Sequence, residues 1–588
     1  MTTTADQVLS TATLTLPGLP QEPMTGHQAV LAQLLADGLD HMFGNPGTVE
    51  EGFLDALRLY PEMKYILTLQ ESVAILAADG YARASGKPAL VQIHSTPGLG
   101  NAIGALYQAN RGHAPLLVIG GDAGIGYQAM DAQMAGDLVA MAKPVTKYAT
   151  MVQDPRSVLR VLRRALKIAV TPPAGPVYVC LPLDVLDAPC SETVRPTSIP
   201  STRVVPEPDA IATMADWLAS AERPMFYIGN GVAASGAQAE VARVAELLGA
   251  EVWDVDGGDL NLPYNHALYQ GPTGHMFGEH SKPITTRGDV NLVCGTYMVP
   301  EVFPDLGEIF APDAKTIHID LNGYEIAKNH PVDLGVVSDP KATLAALAVQ
   351  LEGILTPTQC DAAKSRAERL AEAKAEQEAE ARRADDAVTQ TEPLHFAPFA
   401  RALAAALPED VVIVDEALTN SPPLTRYLPP SKARHYFCTR GGSLGIGFPG
   451  AIGAKIAHPD KTVIGVSGDG GSMYTIQALW TAARHNLDVK FIVCSNRSYR
   501  LLQLNMAAFW KERGLSQHDY PLPFDLSQPE LNFVEFARAQ SIQAVRVEKP
   551  SEIEPAIRRA LAHRGPFLID VVLEGNVHPE LIGVKCGQ

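Results

Sequence analysis

Apolar residues fall in short blocks along this chain, and the blocks alternate between two spacings. Ala89-Leu90-Val91-Gln92-Ile93, Met225-Phe226-Tyr227-Ile228, Val290-Asn291-Leu292-Val293-Cys294, Thr462-Val463-Ile464-Gly465-Val466 and Val489-Lys490-Phe491-Ile492-Val493 have the length and β-branched content of buried strands. Between such runs, the stretches Val30 to Leu35, Ser72 to Arg83, Ala237 to Leu248 and Ile476 to His485 carry apolar residues at helical intervals. Strand and helix in alternation predict parallel sheets covered by helices, an α/β fold. His41-Met42-Phe43, Lys64 to Leu67 and Thr316 to Asp320 are expected as further strands. A helix is expected from Thr48, with the Thr48 hydroxyl as its cap and Glu50 and Glu51 in its first turn.

The pattern repeats. Ala105-Leu106-Tyr107-Gln108-Ala109-Asn110-Arg111 lines up with Ala478-Leu479-Trp480-Thr481-Ala482-Ala483-Arg484 at an offset of 373, and the strands on either side keep that offset. Two domains of the same fold are therefore expected, near the two ends of the chain. In this alignment His94-Ser95-Thr96 takes the place of Ser467-Gly468-Asp469, so an acid at one strand end has a threonine as its counterpart.

Prolines 196, 200, 206 and 208 mark a linker, after which a third α/β unit begins. Its Gly229-Asn230-Gly231 turn lacks the third glycine of a dinucleotide fingerprint and reads as a tight turn. From Ala362 to Ala387 the chain is rich in Ala, Glu, Lys and Arg, a solvated helical connector. The expectation is three doubly wound parallel-sheet domains at 22–195, 205–355 and 393–575. A helical linker at 356–392 joins the second to the third, and a tail runs over 576–588.

The densest chemistry lies between Gly468 and Asn496. Gly468-Asp469-Gly470-Gly471-Ser472 ends one predicted strand, and Asn496 ends the next, 27 positions after Asp469. Neighbouring parallel strands put both ends on one edge, where open α/β sheets bind ligands. One carboxylate and one amide oxygen suit a hard cation such as Mg²⁺, which keeps positions open for phosphate oxygens. The glycines let backbone N–H groups approach a diphosphate.

Composition narrows the partners. With 65 acids against 47 bases the 588-residue chain carries a net charge of −18, which argues against nucleic acid and asks for a cation wherever a diphosphate binds. Seven scattered cysteines without a CxxC pair read as reduced thiols, and no apolar run reaches membrane-spanning length. The Thr- and Pro-rich first twenty residues read as a disordered arm. A cytoplasmic protein without membrane partners is expected.

The Gly468-Asp469-Gly470 turn followed by Asn496 resembles the cofactor motif of the thiamine diphosphate (ThDP) enzymes, with Ser495 where a first Asn often stands. Phe43-Gly44-Asn45-Pro46-Gly47, Leu69-Gln70-Glu71, His94-Ser95, Gly98, Gly100-Asn101 and Ala478 to Ala483 resemble benzoylformate decarboxylase-like members in order and spacing. Gly274 to His280 is similar to a glycine-rich segment of acetolactate-synthase-type members.

The resemblance implies a pyrimidine-binding domain, a middle domain and a diphosphate-binding domain, in that order. It implies that Glu71 shares a proton with the aminopyrimidine ring and so helps the cofactor surrender its own thiazolium proton. His94 would shuttle protons on the substrate side, and Thr48 would hold the substrate carboxylate. Cofactor contacts are implied for Asn45, Pro46, Glu71, Asn101, Thr419, Gly442 and Leu444, and for Gly468, Asp469, Gly470, Gly471, Ser472, Asn496, Ser498 and Tyr499. Leu444 would be the bulky residue beneath the cofactor, with Ile446 as the alternative. Asp469, Asn496 and the main-chain carbonyl of Ser498 would hold Mg²⁺.

Two features depart from the decarboxylase pattern. The segment Thr296 to Pro304 has no second pocket histidine, Val302 falling about there, while His275 and His280 lie upstream. Arg500 and Gln503 to Asn505 make one wall more polar than an aryl pocket needs.

The implied activity is ThDP- and Mg²⁺-dependent decarboxylation of a 2-oxo acid, with transfer to an aldehyde as an added capacity. The alternatives are an acetolactate-synthase-like or 2-hydroxyacyl-CoA-lyase-like carboligase, and a ThDP-binding protein without catalysis. FAD in the middle domain belongs to the acetolactate-synthase-like alternative and is not favoured. A homodimer at least is implied, with a homotetramer as the expected assembly.

Overall fold

The computed structural model describes residues 24–578 apart from positions 256 and 275. The expectations for the first twenty residues, for His275 and for the tail beyond 578 lie outside the described residues. The alternating blocks form three six-stranded sheets in which every pairing is parallel.

The first sheet holds β1 (His41–Gly44), β2 (Lys64–Leu67), β3 (Ala89–Ile93), β4 (Leu116–Asp122), β5 (Tyr148–Met151) and β6 (Val177–Pro182), in the order β2-β1-β3-β4-β6-β5. The middle sheet holds β7 (Pro224–Ile228), β8 (Glu251–Asp254), β9 (Tyr269–Pro272), β10 (Val290–Cys294), β11 (Lys315–Asp320) and β12 (Leu334–Val337), in the order β12-β11-β10-β7-β8-β9. The last holds β13 (Val411–Glu416), β14 (Tyr436–Cys438), β15 (Thr462–Gly468), β16 (Val489–Ser495), β17 (Gln543–Val547) and β18 (Phe567–Val572). Its order, β14-β13-β15-β16-β18-β17, is that of the first sheet strand for strand. The repeat seen in the sequence is therefore a repeat of topology, and β3 and β4 begin 373 residues before β15 and β16.

The first and last domains meet backbone to backbone. The Glu71–Ser85 helix packs on the Gly447–Ala457 helix through glycine: a Cβ on Gly453 would lie 1.8 Å from the Ala77 carbonyl oxygen, and one on Gly80 would lie 2.1 Å from that of Gly450. No side chain fits at these two contacts. At the rim, Thr481 Oγ1 donates to the Leu67 carbonyl and the Leu67 N–H donates to His485 Nε2, both at 3.1 Å.

A buried arginine joins all three domains. Arg83 Nε donates to Asp259 Oδ1 at 3.2 Å, Nη1 donates to the Cys438 carbonyl at 3.1 Å, and Nη2 donates to the Gly258 carbonyl. Asp79, fully buried, lies 3.8 Å from Arg83 with no hydrogen bond of its own. Burial pushes its carboxyl up to about 6.

Two expectations change. The connector is one helix, Pro357–Ala387, and it does more than span. Lys374 Nζ donates to the carbonyls of Tyr264, His266 and Tyr269, and Arg366 donates to that of Leu248, so the helix is docked on the middle domain. Thr48 is not a cap. A 3₁₀ turn over Thr48–Glu50 has Gly47 at its N-cap, and the Gly47 N–H is taken by Glu50 Oε2 at 3.0 Å. A longer side chain reaches back to that donor, which leaves the threonine hydroxyl exposed.

Candidate active site

Two sheet edges carry the predicted residues. After β2, on the edge where β1 and β3 also end, Glu71 opens its helix as a buried carboxylate. Asn45 Nδ2 donates to Oε1 at 2.9 Å and Asn101 Nδ2 donates to Oε2 at 3.0 Å. Asn45 and Asn101 thus become partners of Glu71, and each oxygen keeps a lone pair for a further donor. A Cβ on Gly98 would stand 3.2 Å from Glu71 Oε1 and 3.3 Å from His94 Cβ, so this glycine leaves room for both residues.

His94, the residue before the Ser95–Arg111 helix, is joined to a residue that the sequence did not single out for chemistry. Its Nδ1 lies 3.0 Å from Glu50 Oε2, and the neighbour of Nε2 is Met134 Sδ at 3.4 Å. Glu50 is buried, and burial holds its carboxyl above the ordinary range against the pull of the imidazole. A carboxylate on Nδ1 fixes the tautomer with the proton there and leaves Nε2 as the basic nitrogen. The close approach needs Gly47, where a Cβ would fall 2.0 Å from His94 Nδ1. Thr48 and Pro46 lie exposed on the same turn. Nothing in the spacing flagged Glu50, because its partner stands 44 residues away.

The last sheet carries the second group. Asp469, 5% exposed, follows β15, and its carboxylate accepts the Gly470 N–H at 2.8 Å and the Arg497 N–H at 2.6 Å. Among the described residues no cationic side chain is bonded to it, and burial pushes it up to about 6. Asn496 follows β16 on the neighbouring strand, its Oδ1 accepting the Ser498 N–H at 3.1 Å. The Ser498 hydroxyl is buried without a partner among the described residues. A buried carboxylate with no cation bonded to it, an amide oxygen and an orphaned hydroxyl on one edge fit a hard divalent cation with phosphate oxygens.

The space beside these donors is kept by glycine. Nothing lies within 4 Å of a Cβ on Gly468 or Gly442, whereas one on Gly470 would meet the Tyr499 ring at 2.3 Å and one on Gly471 would meet Ser467 Oγ at 3.0 Å. Ser472 turns inward and donates to the Gly468 carbonyl at 2.7 Å.

Leu444 and Ile446 part company here. Ile446 is buried in the core between the first and last sheets, while Leu444 is half-buried on the loop before it. Glu416, fully buried at the end of β13, shapes that loop by accepting the N–H groups of Gly445 and Gly447 and the Ser467 hydroxyl. Ser443 Oγ donates to the Gly104 carbonyl at 3.3 Å, so the first domain steadies the loop from the other side. Thr419 is buried beside Arg500.

Among the described residues, the hydrogen bonds of the Glu71 carboxylate come from the first domain and those of the Asp469 carboxylate from the last. Glu71 sits nine residues before the Gly80–Gly450 contact, roughly 13 Å along its helix axis. His280 lies next to Glu279 at 3.9 Å and edge-on to Phe277, and Val302 is exposed.

Three profiles match the chain: the N-terminal TPP binding domain of the thiamine pyrophosphate enzymes over residues 24–141, their central domain over 211–347 and their C-terminal TPP binding domain over 419–571. The chain belongs to the thiamine diphosphate enzymes. It is 30% identical to a benzoylformate decarboxylase of Pseudomonas aeruginosa across 93% of this chain and 98% of that one. It is 29% identical to a protein named probable acetolactate synthase large subunit from Methanococcus aeolicus, across 94% and 92%. Among solved structures it resembles the 4-hydroxybenzoylformate decarboxylase of Rhodococcus jostii, with a TM-score of 0.79, 26% identity, and 94% and 99% of the two chains covered.

This ThDP enzyme is therefore of the decarboxylase and acetolactate synthase family. Among the described residues no helix is long and apolar enough to cross a membrane. Five of the six described cysteines are buried and, among the described residues, none is in a disulfide, Cys360 being exposed and Cys586 lying outside the described residues.

Proposed function

We propose that this ThDP enzyme is a Mg²⁺-dependent 2-oxo-acid decarboxylase that can also pass its product fragment to an aldehyde. The observation that carries this reading is the Glu50–His94 pair, a buried carboxylate 3.0 Å from an imidazole whose free nitrogen faces only a thioether. Decarboxylation needs a proton delivered where CO₂ has left, and an imidazole poised by a carboxylate suits that task. ThDP, when bound, supplies the electron sink for breaking the bond next to a carbonyl.

The chain's own residues do the rest. Glu71, held by Asn45 and Asn101, would accept and return a proton at the pyrimidine. Asp469, Asn496 and Ser498 would hold Mg²⁺, with Gly468 leaving room for the diphosphate. Leu444 would support the cofactor from below, and Thr48 would meet the substrate carboxylate at the open rim. Glu71 and Asp469 would meet across a dimer interface, because each is closed on its own domain within one chain.

The second reading is a carboligase of the acetolactate-synthase kind. Gln503 and Asn505 favour it, since both carry buried amide oxygens without partners on the helix after Tyr499, a polar wall for a small substrate. A panel of 2-oxo acids, with and without aldehydes, separates the readings through CO₂, aldehyde and hydroxyketone products. Hydroxyketone as the sole product from 2-oxo acids alone would replace the first reading with the second.

A further inference from the structure

Arg500 opens the helix after β16, and it is the centre of a buried polar cluster. Its side chain is 3% exposed and all three guanidinium nitrogens are committed. Nε donates to Thr419 Oγ1 at 3.0 Å, Nη1 donates to Glu574 Oε1 at 2.8 Å, and Nη2 donates to Asn420 Oδ1 at 2.8 Å. Thr419 and Asn420 follow β13 and Glu574 follows β18, so all four residues lie on the edge that carries Asp469. The field of Arg500 reaches the Asp469 carboxyl and opposes its burial. Glu574 grips the guanidinium from the far side, and it also accepts the Asn576 N–H at 2.7 Å and lies 3.0 Å from His578 Nε2.

This arrangement decides where the Thr419 proton points. A hydroxyl has one proton and two lone pairs, and a guanidinium accepts nothing. The Arg500 N–H takes a lone pair of Oγ1, so the hydroxyl must donate elsewhere. Among the described residues no group receives that proton, although Thr419 is buried. A phosphate oxygen is an acceptor only.

We propose that Arg500 is a positioning residue for the diphosphate end of the cofactor, holding Thr419 so that its hydroxyl donates to a phosphate oxygen. Arginine is required for this because its fork reaches Thr419, Asn420 and Glu574 at once, which a lysine ammonium cannot do from one position. The inference rests on the ThDP reading.

The test is the affinity for ThDP with Mg²⁺, read by tryptophan fluorescence or calorimetry, for Thr419→Ser, Thr419→Val, Arg500→Lys and the Val/Lys double variant. Loss of one hydrogen bond predicts about tenfold weaker binding for Thr419→Val, and Thr419→Ser should stay within about twofold of the parent. Arg500→Lys should cost about tenfold alone and less than about threefold on the Val background, because both act through one hydroxyl. Inorganic pyrophosphate as competitor should lose affinity in the same order.

Fully multiplicative losses in the double variant, or Val binding as well as Ser, overturn the proposal. If Arg500→Lys does not fold, as apoprotein melting would reveal, the comparison of Val with Ser decides. A parent that does not bind ThDP overturns the cofactor reading itself. A tight parent with unaffected variants overturns this inference alone.

Discussion

Glu50 and His94 stand 44 residues apart in the chain and 3.0 Å apart in the fold. The pair joins the turn after β1 to the end of β3, two adjacent strands, so the sheet itself sets the distance. A buried carboxylate on Nδ1 orients the ring and sets which nitrogen carries the proton.

His94→Ala should slow turnover by roughly 10²–10⁴-fold and leave ThDP affinity unchanged. Glu50→Gln should slow it by roughly 10²-fold with the fold intact, since the ring loses its charged partner but not its packing. Steady-state kinetics beside ThDP titration separates the roles. Unchanged turnover with weakened cofactor binding would make His94 a structural residue.

Asp469→Ala should abolish retention of ThDP through gel filtration, because the diphosphate would lose its bridging cation in a chain of net charge −18. Chelation of the parent should do the same, and Mg²⁺ should restore binding only to the parent. A chelated parent that stays loaded and active would count against the metal.

Glu71→Gln and Asp469→Ala chains, each inactive alone, should recover activity when mixed under verified subunit exchange. A mixed dimer would hold one doubly damaged site and one intact site. The ceiling is the fraction of mixed dimers. Exchange without activity would place both residues in a site of one chain, or require both sites to work together.

Asp79 predicts a pH signature in stability. Its carboxyl is raised to about 6 from 3.8, so the native state holds that proton more tightly than the unfolded chain. Raising the pH through this window ionises a buried group without a hydrogen bond, and stability falls across it through this residue. Asp79→Asn lacks that loss. The urea midpoint of the variant minus that of the parent should therefore rise from about pH 4 to 6 and level off above. A difference that stays constant over that range would sink the idea.

The sequence by itself determined what local chemistry can determine. Strand-length apolar runs and helical spacing announced the parallel α/β architecture, and the offset of 373 announced a repeated topology, because both follow from periodicity along the backbone. Asp469 and Asn496 were legible because adjacent parallel strands bring their ends together whatever the rest of the chain does. Tertiary structure decided what depends on residues far apart in the chain. It joined Glu50 to His94, placed Arg500 between Thr419 and Glu574, and put Ile446 rather than Leu444 in the core. It also turned the connector helix into a docked one through Lys374. Partners such as Thr419 and Arg500 lie 81 residues apart, and no spacing rule encodes such a distance. Burial then fixes each polar group to whichever partner the packing supplies, since a polar group left unpaired away from water is costly.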